Sequence, residues 1–125
     1  MENSELIGFL ATRKPDESRQ FYREILGLKP VHEDDFAIVF DSEGSMLRIQ
    51  KLKEYNPPKH TALGWEVPDI GTAVSRLRDR GISFIRYEGM NQDPQNIWIS
   101  PAGARVAWFE DPDGNILSLT QFKRE

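Results

Sequence analysis

Side chains able to do nucleophilic or metal chemistry are few and scattered in this 125-residue chain. It has two histidines, His32 and His60, and no cysteine, which excludes disulfides and thiolate metal sites. Neither a Gly-x-Ser-x-Gly elbow nor a glycine-rich phosphate loop is present. Ser118 has no base near it in the sequence, so it is a weak nucleophile candidate. The sequence predicts no nucleophilic constellation, and exposed loop positions are the ordinary interpretation of the two histidines.

The charge balance and the apolar pattern limit the partners. Twenty acidic and sixteen basic residues give a net charge of -4, whereas a nucleic-acid-binding protein needs a basic face. No apolar run approaches the roughly 18 residues that span a bilayer, and the first residues lack a basic segment followed by an apolar one. We therefore expect a single cytoplasmic domain without nucleic-acid or membrane partners.

An internal repeat relates the two halves of the chain. Residues 41–50 and 111–120 both begin Asp-x-Glu/Asp-Gly and continue into a strand with two aliphatic residues spaced by two. Asp and Gly at these places predict a tight turn between two strands, because Gly supplies a positive φ. Turn signals are common, so chance is the competing interpretation. The same order of elements upstream of both turns favours a true repeat.

Upstream of each turn, a strand and a helix are predicted in the same order. The first half has a strand over residues 7–11 and a helix from Pro15 to about Leu26, followed by Gly27. In the second half, residues 61–67 form a strand, Asp69 caps a helix, and Gly81 ends it. Further strands are expected in the second half at residues 82–87 and 96–100, and residues 88–95 form a polar loop that can cover a pocket. Each half thus reads as a strand, a helix and three strands, with modules at about 5–52 and 60–122 and a proline-containing linker at 53–59.

Two motifs give the chain a family resemblance along nearly its whole length. They are Ser18-x-x-Phe21-Tyr22-x-x-x-Leu26-Gly27-Leu28 and Phe109-Glu-Asp-Pro-Asp-Gly-Asn115. Together they resemble the vicinal oxygen chelate superfamily, which includes glyoxalases, bleomycin-resistance proteins and extradiol dioxygenases. The resemblance implies an α+β fold of two βαβββ modules, whose curled mixed sheets surround a concave cleft.

The alternation of side chains along strands divides core positions from cleft positions. Leu47, Ile49, Leu117 and Leu119 are expected in the core, which turns their neighbours toward the cleft. Pairing across the second hairpin adds Arg105 and Phe109 if its turn is regular, whereas a bulge reverses them. The facing of Trp98 stays open. The expected ligand-binding residues are Phe9, Met46, Arg48, Gln50, Glu66, Arg105, Phe109 and Ser118.

The metal ligands of the family correspond, by alignment on the flanking motifs, to four positions of this chain. These are Ile7, Arg48, Ala62 and Ser118, which do not form a usable ligand set. The resemblance therefore implies no metal cofactor here, although His60 lies two residues before Ala62. The metal-dependent activities of the family are doubtful on the same ground.

Three functions remain open from the sequence. The favoured one is a metal-free protein, resembling the bleomycin-resistance branch, that holds an anionic or aromatic small molecule and forms a homodimer. The alternative is a related lyase, isomerase or oxidoreductase with an atypical metal site, or with Glu66 as a base. The third is an interaction module without a ligand. Arg48 either binds the ligand or pairs with Glu66 as a structural partner.

Overall fold

The computed structural model describes residues 1–124 and contains two four-stranded mixed sheets with few helices. This confirms the predicted α+β class with two repeated modules. The chain forms two compact units, one of Met1–Pro57 with Pro112–Gly114, and one of Pro58–Asp111 with the residues from Asn115 onward. The elements are β1 (Ile7–Thr12), α1 (Pro15–Gln20) with a π-helical continuation (Phe21–Ile25), β2 (Lys29–Glu33), β3 (Ala37–Ser42), β4 (Ser45–Lys51), β5 (Thr61–Glu66), α2 (Ile70–Asp79), β6 (Trp98–Ile99), β7 (Arg105–Glu110) and β8 (Ile116–Gln121).

The first unit has the strand order β1-β4-β3-β2, with β1 parallel to β4 and the other pairs antiparallel. Its helix starts at Pro15, whose fixed φ suits the first helical position. The helix ends before Gly27, which has a φ of 72° as its predicted terminal role requires. Fully buried Tyr22 packs against Phe40, with ring centroids 6.0 Å apart, so the helix covers the side of the sheet that carries Phe40.

The second unit repeats this arrangement with the order β5-β8-β7-β6. Asp69 caps α2, as predicted, by accepting a hydrogen bond from the Thr72 backbone N–H at 3.1 Å. The apolar face of α2 buries Ile70, Val74 and Leu77. No helix within residues 1–124 is both long and apolar enough to cross a membrane.

The prediction of a strand over residues 82–87 is wrong. Within residues 96–100, only the two residues of β6 form a strand. Residues 82–87 are irregular, with Ile85 donating its N–H to the Trp108 carbonyl at 2.8 Å. The buried side chain of Gln92 takes the place of a neighbouring strand. It accepts from the Tyr87 N–H at 2.7 Å and donates to the Ile85 and Asn96 carbonyls, both at 2.9 Å. Several backbone groups of this segment are therefore paired without a strand ladder.

The two repeated turns differ in length, and this decides which side chains share a face. In the first, Ser42 pairs with Ser45 around Glu43 and Gly44, which have φ values of 47° and 91°. In the second, Glu110 pairs with Ile116, so residues 111–115 form the loop, closed by an Asp111 N–H to Asn115 carbonyl bond of 3.0 Å. Relative to the repeat, the register of the second hairpin moves by one residue, which reverses the faces of β7.

Candidate functional site

The side of the first sheet away from its helix carries an apolar surface around one guanidinium group. The register aligns Phe9, Arg48, Val39 and His32 in one row across the four strands. Met46 and Gln50 flank Arg48 on the same side because strand side chains alternate. The structure therefore confirms that Phe9, Met46, Arg48 and Gln50 share a face. Phe9 remains 54% exposed and Met46 38%.

The corresponding side of the second sheet is set by the pairs around β8. Gly64 and Trp108 both pair with Ser118, while Glu66 and Val106 both pair with Thr120. Glu66 and Ser118 therefore share a face, as predicted. The Ser118 hydroxyl lies over Gly64 so closely that a β-carbon there would collide with it.

Arg105 and Phe109 do not lie on the face that carries Ser118, and the prediction for these two residues is wrong. Phe109 pairs with Leu117 and is fully buried, with its ring 5.5 Å from that of Phe84. Arg105 pairs with Gln121, whose side-chain oxygen accepts from the Ile70 N–H at the start of α2. Both residues thus belong to the helix side of the sheet. The physical reason is the longer loop at residues 111–115, which shifts the hairpin register.

A group of three aromatic side chains takes their place on the face that carries Ser118. The ring of Trp108 lies 6.0 Å from that of Trp98 at 37°, and 5.4 Å from that of Tyr87 at 85°. All three are only partly exposed. The indole N–H of Trp108 donates to the Thr61 hydroxyl at 3.1 Å, which fixes the orientation of the ring. We call Tyr87, Trp98 and Trp108 the aromatic platform. Sequence reasoning missed it, because the expected register placed Phe109 rather than Trp108 on this face.

The loop over residues 88–95 contacts two of the segments that carry the platform. Gln92 forms an isolated bridge with Trp98 and holds the backbone of Tyr87 through the bonds described above. Gln92 is 7% exposed, so its hydrogen bonds are shielded from competing water. This one buried amide residue therefore links the segments that carry two of the three rings.

Two carboxylates lie on the face that carries Ser118, those of Glu66 and Glu110. Burial raises the pKa of the Tyr87 phenol, and the carboxylate of Glu110 raises it further. Glu66 forms an ion pair with Arg124. Among the ion pairs formed within residues 1–124, none includes Glu110 or Arg48.

The residues at the family's metal positions do not fit a metal ion. Ile7 and Arg48 provide no donor for a cation, and Ser118 provides only a neutral hydroxyl. Ala62 lies at an irregularity of β5, where Thr61 pairs with Ile116 in its place. Across the described chain, no group of three or more His, Asp or Glu side chains is placed to hold a metal. His32 instead contacts Asp34, with 3.2 Å between Nε2 and the carboxylate.

Comparison with known proteins gives one curated relative and many similar structures. "Probable lactoylglutathione lyase" from Synechocystis is 29% identical, over 85% of this chain and 86% of that protein. TnmS3, an antibiotic binding protein from a Streptomyces species, superposes with a TM-score of 0.73 at 21% identity, over 98% of this chain and 99% of its own. A glyoxalase/bleomycin resistance protein/dioxygenase from Alicyclobacillus acidocaldarius gives 0.73 at 19% identity, over 99% and 96%. These structural likenesses show the fold alone. The profile of the Glyoxalase/Bleomycin resistance protein/Dioxygenase superfamily matches residues 7–119, and the chain belongs to that superfamily.

Proposed function

We propose that this protein binds a planar aromatic small molecule on the aromatic platform, without a metal ion. The observation that carries the proposal is the platform itself, three partly exposed rings held in contact on one sheet face. Aromatic surfaces of this kind exchange water for stacking or edge contacts with a flat ligand. A few polar groups beside an apolar surface are the usual composition of a small-molecule site.

The rigidity of the platform supports binding because little order has to be gained when a ligand arrives. Trp108 is fixed by Thr61, and Gln92 holds the segments that carry Tyr87 and Trp98. Ser118 and Glu66 lie on the same face and are proposed as polar contacts of the ligand. On the first sheet, Phe9, Met46, Arg48 and Gln50 are proposed as further ligand contacts on their own face.

Quinoline, a flat and neutral probe at pH 7.5, tests the platform by equilibrium dialysis. We expect Trp108→Leu to weaken binding by about tenfold, from the loss of roughly 1–2 kcal/mol of aromatic contact. Trp65→Phe is the matched control, because Trp65 pairs with Leu119 on the opposite side of the same sheet. Equal affinity of the parent protein and Trp108→Leu would place the binding surface elsewhere.

The metal-free part of the proposal rests on the poor donor set at Ile7, Arg48, Ala62 and Ser118. After native purification we expect far less than one transition-metal ion per chain by elemental analysis. About one Ni, Zn, Fe or Mn ion per chain would overturn this part and leave the binding proposal to its own test.

A lyase activity is the second candidate, and the name of the Synechocystis relative favours it. Glu66 is the residue proposed as its base. Its carboxylate forms an ion pair with Arg124, which a substrate would have to displace. Turnover of the hemithioacetal of glutathione and methylglyoxal, with added Ni²⁺ or Zn²⁺, that is lost in Glu66→Gln would support the enzyme over the binding protein.

A further inference from the structure

We propose that the aromatic platform selects cations, taking a planar aromatic ligand whose positive charge lies beside Glu110. This inference rests on the proposed binding function and names its ligand class. The proposed function requires only a flat aromatic ligand, whereas this inference also assigns that ligand a positive charge.

The position of Glu110 follows from the register. It is two residues beyond Trp108 on β7, so both side chains lie on the same face. Glu110 pairs with Ile116, which also pairs with Thr61, the residue that receives the Trp108 N–H. The carboxylate is thus one row from the centre of the platform. The raised pKa of Tyr87 agrees with this placement, since the charge of Glu110 contributes to it.

Other charged residues of this unit include Glu66, Arg86 and Arg105. Glu66 lies on the same face and is paired with Arg124, so the two charges offset each other. Arg86 donates to the backbone carbonyls of Gln92 and Asp93 in the loop, and Arg105 lies on the helix side. Glu110 is exposed and takes part in none of the ion pairs formed within residues 1–124.

Two physical effects then favour a cation over an anion. The faces of aromatic rings are negative, and Trp gives the strongest cation–π attraction. A nearby carboxylate adds Coulombic attraction for a cation and repels an anion. The Trp108 N–H already donates to the Thr61 hydroxyl, so it is not available to an anionic ligand.

Three flat probes of similar size separate charge from shape: quinoline, 1-methylquinolinium and 2-naphthoate. Dialysis at pH 7.5 and low salt should show 1-methylquinolinium binding about five- to tenfold tighter than quinoline. The carboxylate probe should bind more weakly than quinoline. Glu110→Gln should remove most of the preference for the cation, measured as the ratio of the 1-methylquinolinium and quinoline affinities. Glu24→Gln is the control, because it removes the same charge from an exposed position in the first unit.

The outcomes separate this inference from the binding proposal. Platform-dependent binding of quinoline with no preference for the cation, or a preference that survives in Glu110→Gln, overturns the cation inference alone. No platform-dependent binding of any probe overturns both. If Glu110→Gln melts far below the parent, the test uses the parent protein alone, and its cation preference is measured at rising salt concentration. The cation preference must then shrink as salt rises, since screening weakens exposed charge attraction, and a salt-independent preference contradicts the inference.

Discussion

Gly64 lies at a position of the second sheet where a side chain would collide with Ser118. Its neighbour across the parallel pair is Ser118, whose hydroxyl occupies the space of a β-carbon on Gly64. The close approach lets Ser118 be buried to 7% exposure beside the aromatic platform. A glycine inside a strand commonly marks such an approach.

We expect Gly64→Ala to destabilise the protein by about 1–3 kcal/mol, because the new methyl group overpacks against Ser118. Gly71→Ala is the control. Its β-carbon would meet only the Asp69 carboxylate at 3.6 Å, and alanine favours the helix by about 0.5–1 kcal/mol. Thermal melting of both variants measures the difference. Equal melting temperatures would mean that Ser118 moves aside without cost.

Substitution of Arg48 tests whether its charge has a structural role. No ion pair of the described residues includes it, and Glu66 is occupied by Arg124. We therefore expect Arg48→Ala to change the free energy of unfolding by no more than about 0.5 kcal/mol. Chemical denaturation of this variant and of its double variant with Glu66→Ala decides the matter. A loss in the single variant that the double variant recovers would instead reveal coupling between the two residues.

Among the elements, β2 is an exposed strand that forms ion pairs with α1 and β4 of its unit. Glu33 accepts from Arg19 on α1 at 2.6 Å and from Lys51 on β4 at 2.8 Å. Hydrogen bonds from Arg19, which have the larger effect, and from Lys51 lower the pKa of Glu33 to about 2. These contacts are close to solvent, so their stabilisation is modest and weakens in salt.

The depressed pKa of Glu33 fixes the direction of its pH effect. Its stabilisation is fully present above the unfolded pKa of about 4.3 and is lost as the pH falls through the folded value. Glu33→Gln should therefore melt below the parent protein at pH 7, and the gap should close between about pH 5 and pH 2. Glu24→Gln, on the exposed side of the π-helical segment, serves as the control for charge alone. A gap that persists unchanged at pH 2 would show that the loss does not come from the ionised carboxylate.

Two residues of the second repeated turn, Asp113 and Gly114, belong to the first unit. The Asp113 carboxylate accepts from the Thr12 hydroxyl and from the Arg13 N–H, the latter at 2.8 Å. Gly114 has a φ of 92°, the positive value that the turn pattern predicts. Gly114→Val should lower the melting temperature, with a strain of about 1–2 kcal/mol or more. Gly114→Asn should recover much of it, since Asn tolerates positive φ. Equal effects of Val and Asn would trace the loss to contact with Pro57 rather than to φ.

For the whole molecule, we expect a homodimer. The first sheet leaves Ile7, Phe9 and Met46 between 38% and 54% exposed on one face. Contiguous apolar patches of this kind mark interaction surfaces in many proteins. Light scattering at micromolar concentration should give about twice the chain mass of 14.4 kDa, and Phe9→Glu should shift the particle toward the single-chain mass. A single-chain mass for the parent protein would contradict this expectation.

The sequence by itself determined the features that depend on a few neighbouring residues. Asp69 and Gly81 bound the second helix, Gly114 carries a positive φ, and the alternation of β4 separates Leu47 from Arg48. Each of these is a short-range consequence of backbone geometry, which the residue types and their spacing report directly.

Only the tertiary structure decided which side chains of the second unit meet. The side chain of Gln92 replaced a predicted strand, and a one-residue shift in the register of the β7–β8 hairpin exchanged Phe109 for Trp108 on the face that carries Ser118. Strand side chains alternate with a period of two, so a register shift of one residue reverses every position that follows from the pairing. Tyr87, Trp98 and Trp108 come from three separate segments, and their contact depends on that register and on a buried amide. Local sequence patterns carry no information about either, because both arise from pairing between distant parts of the chain.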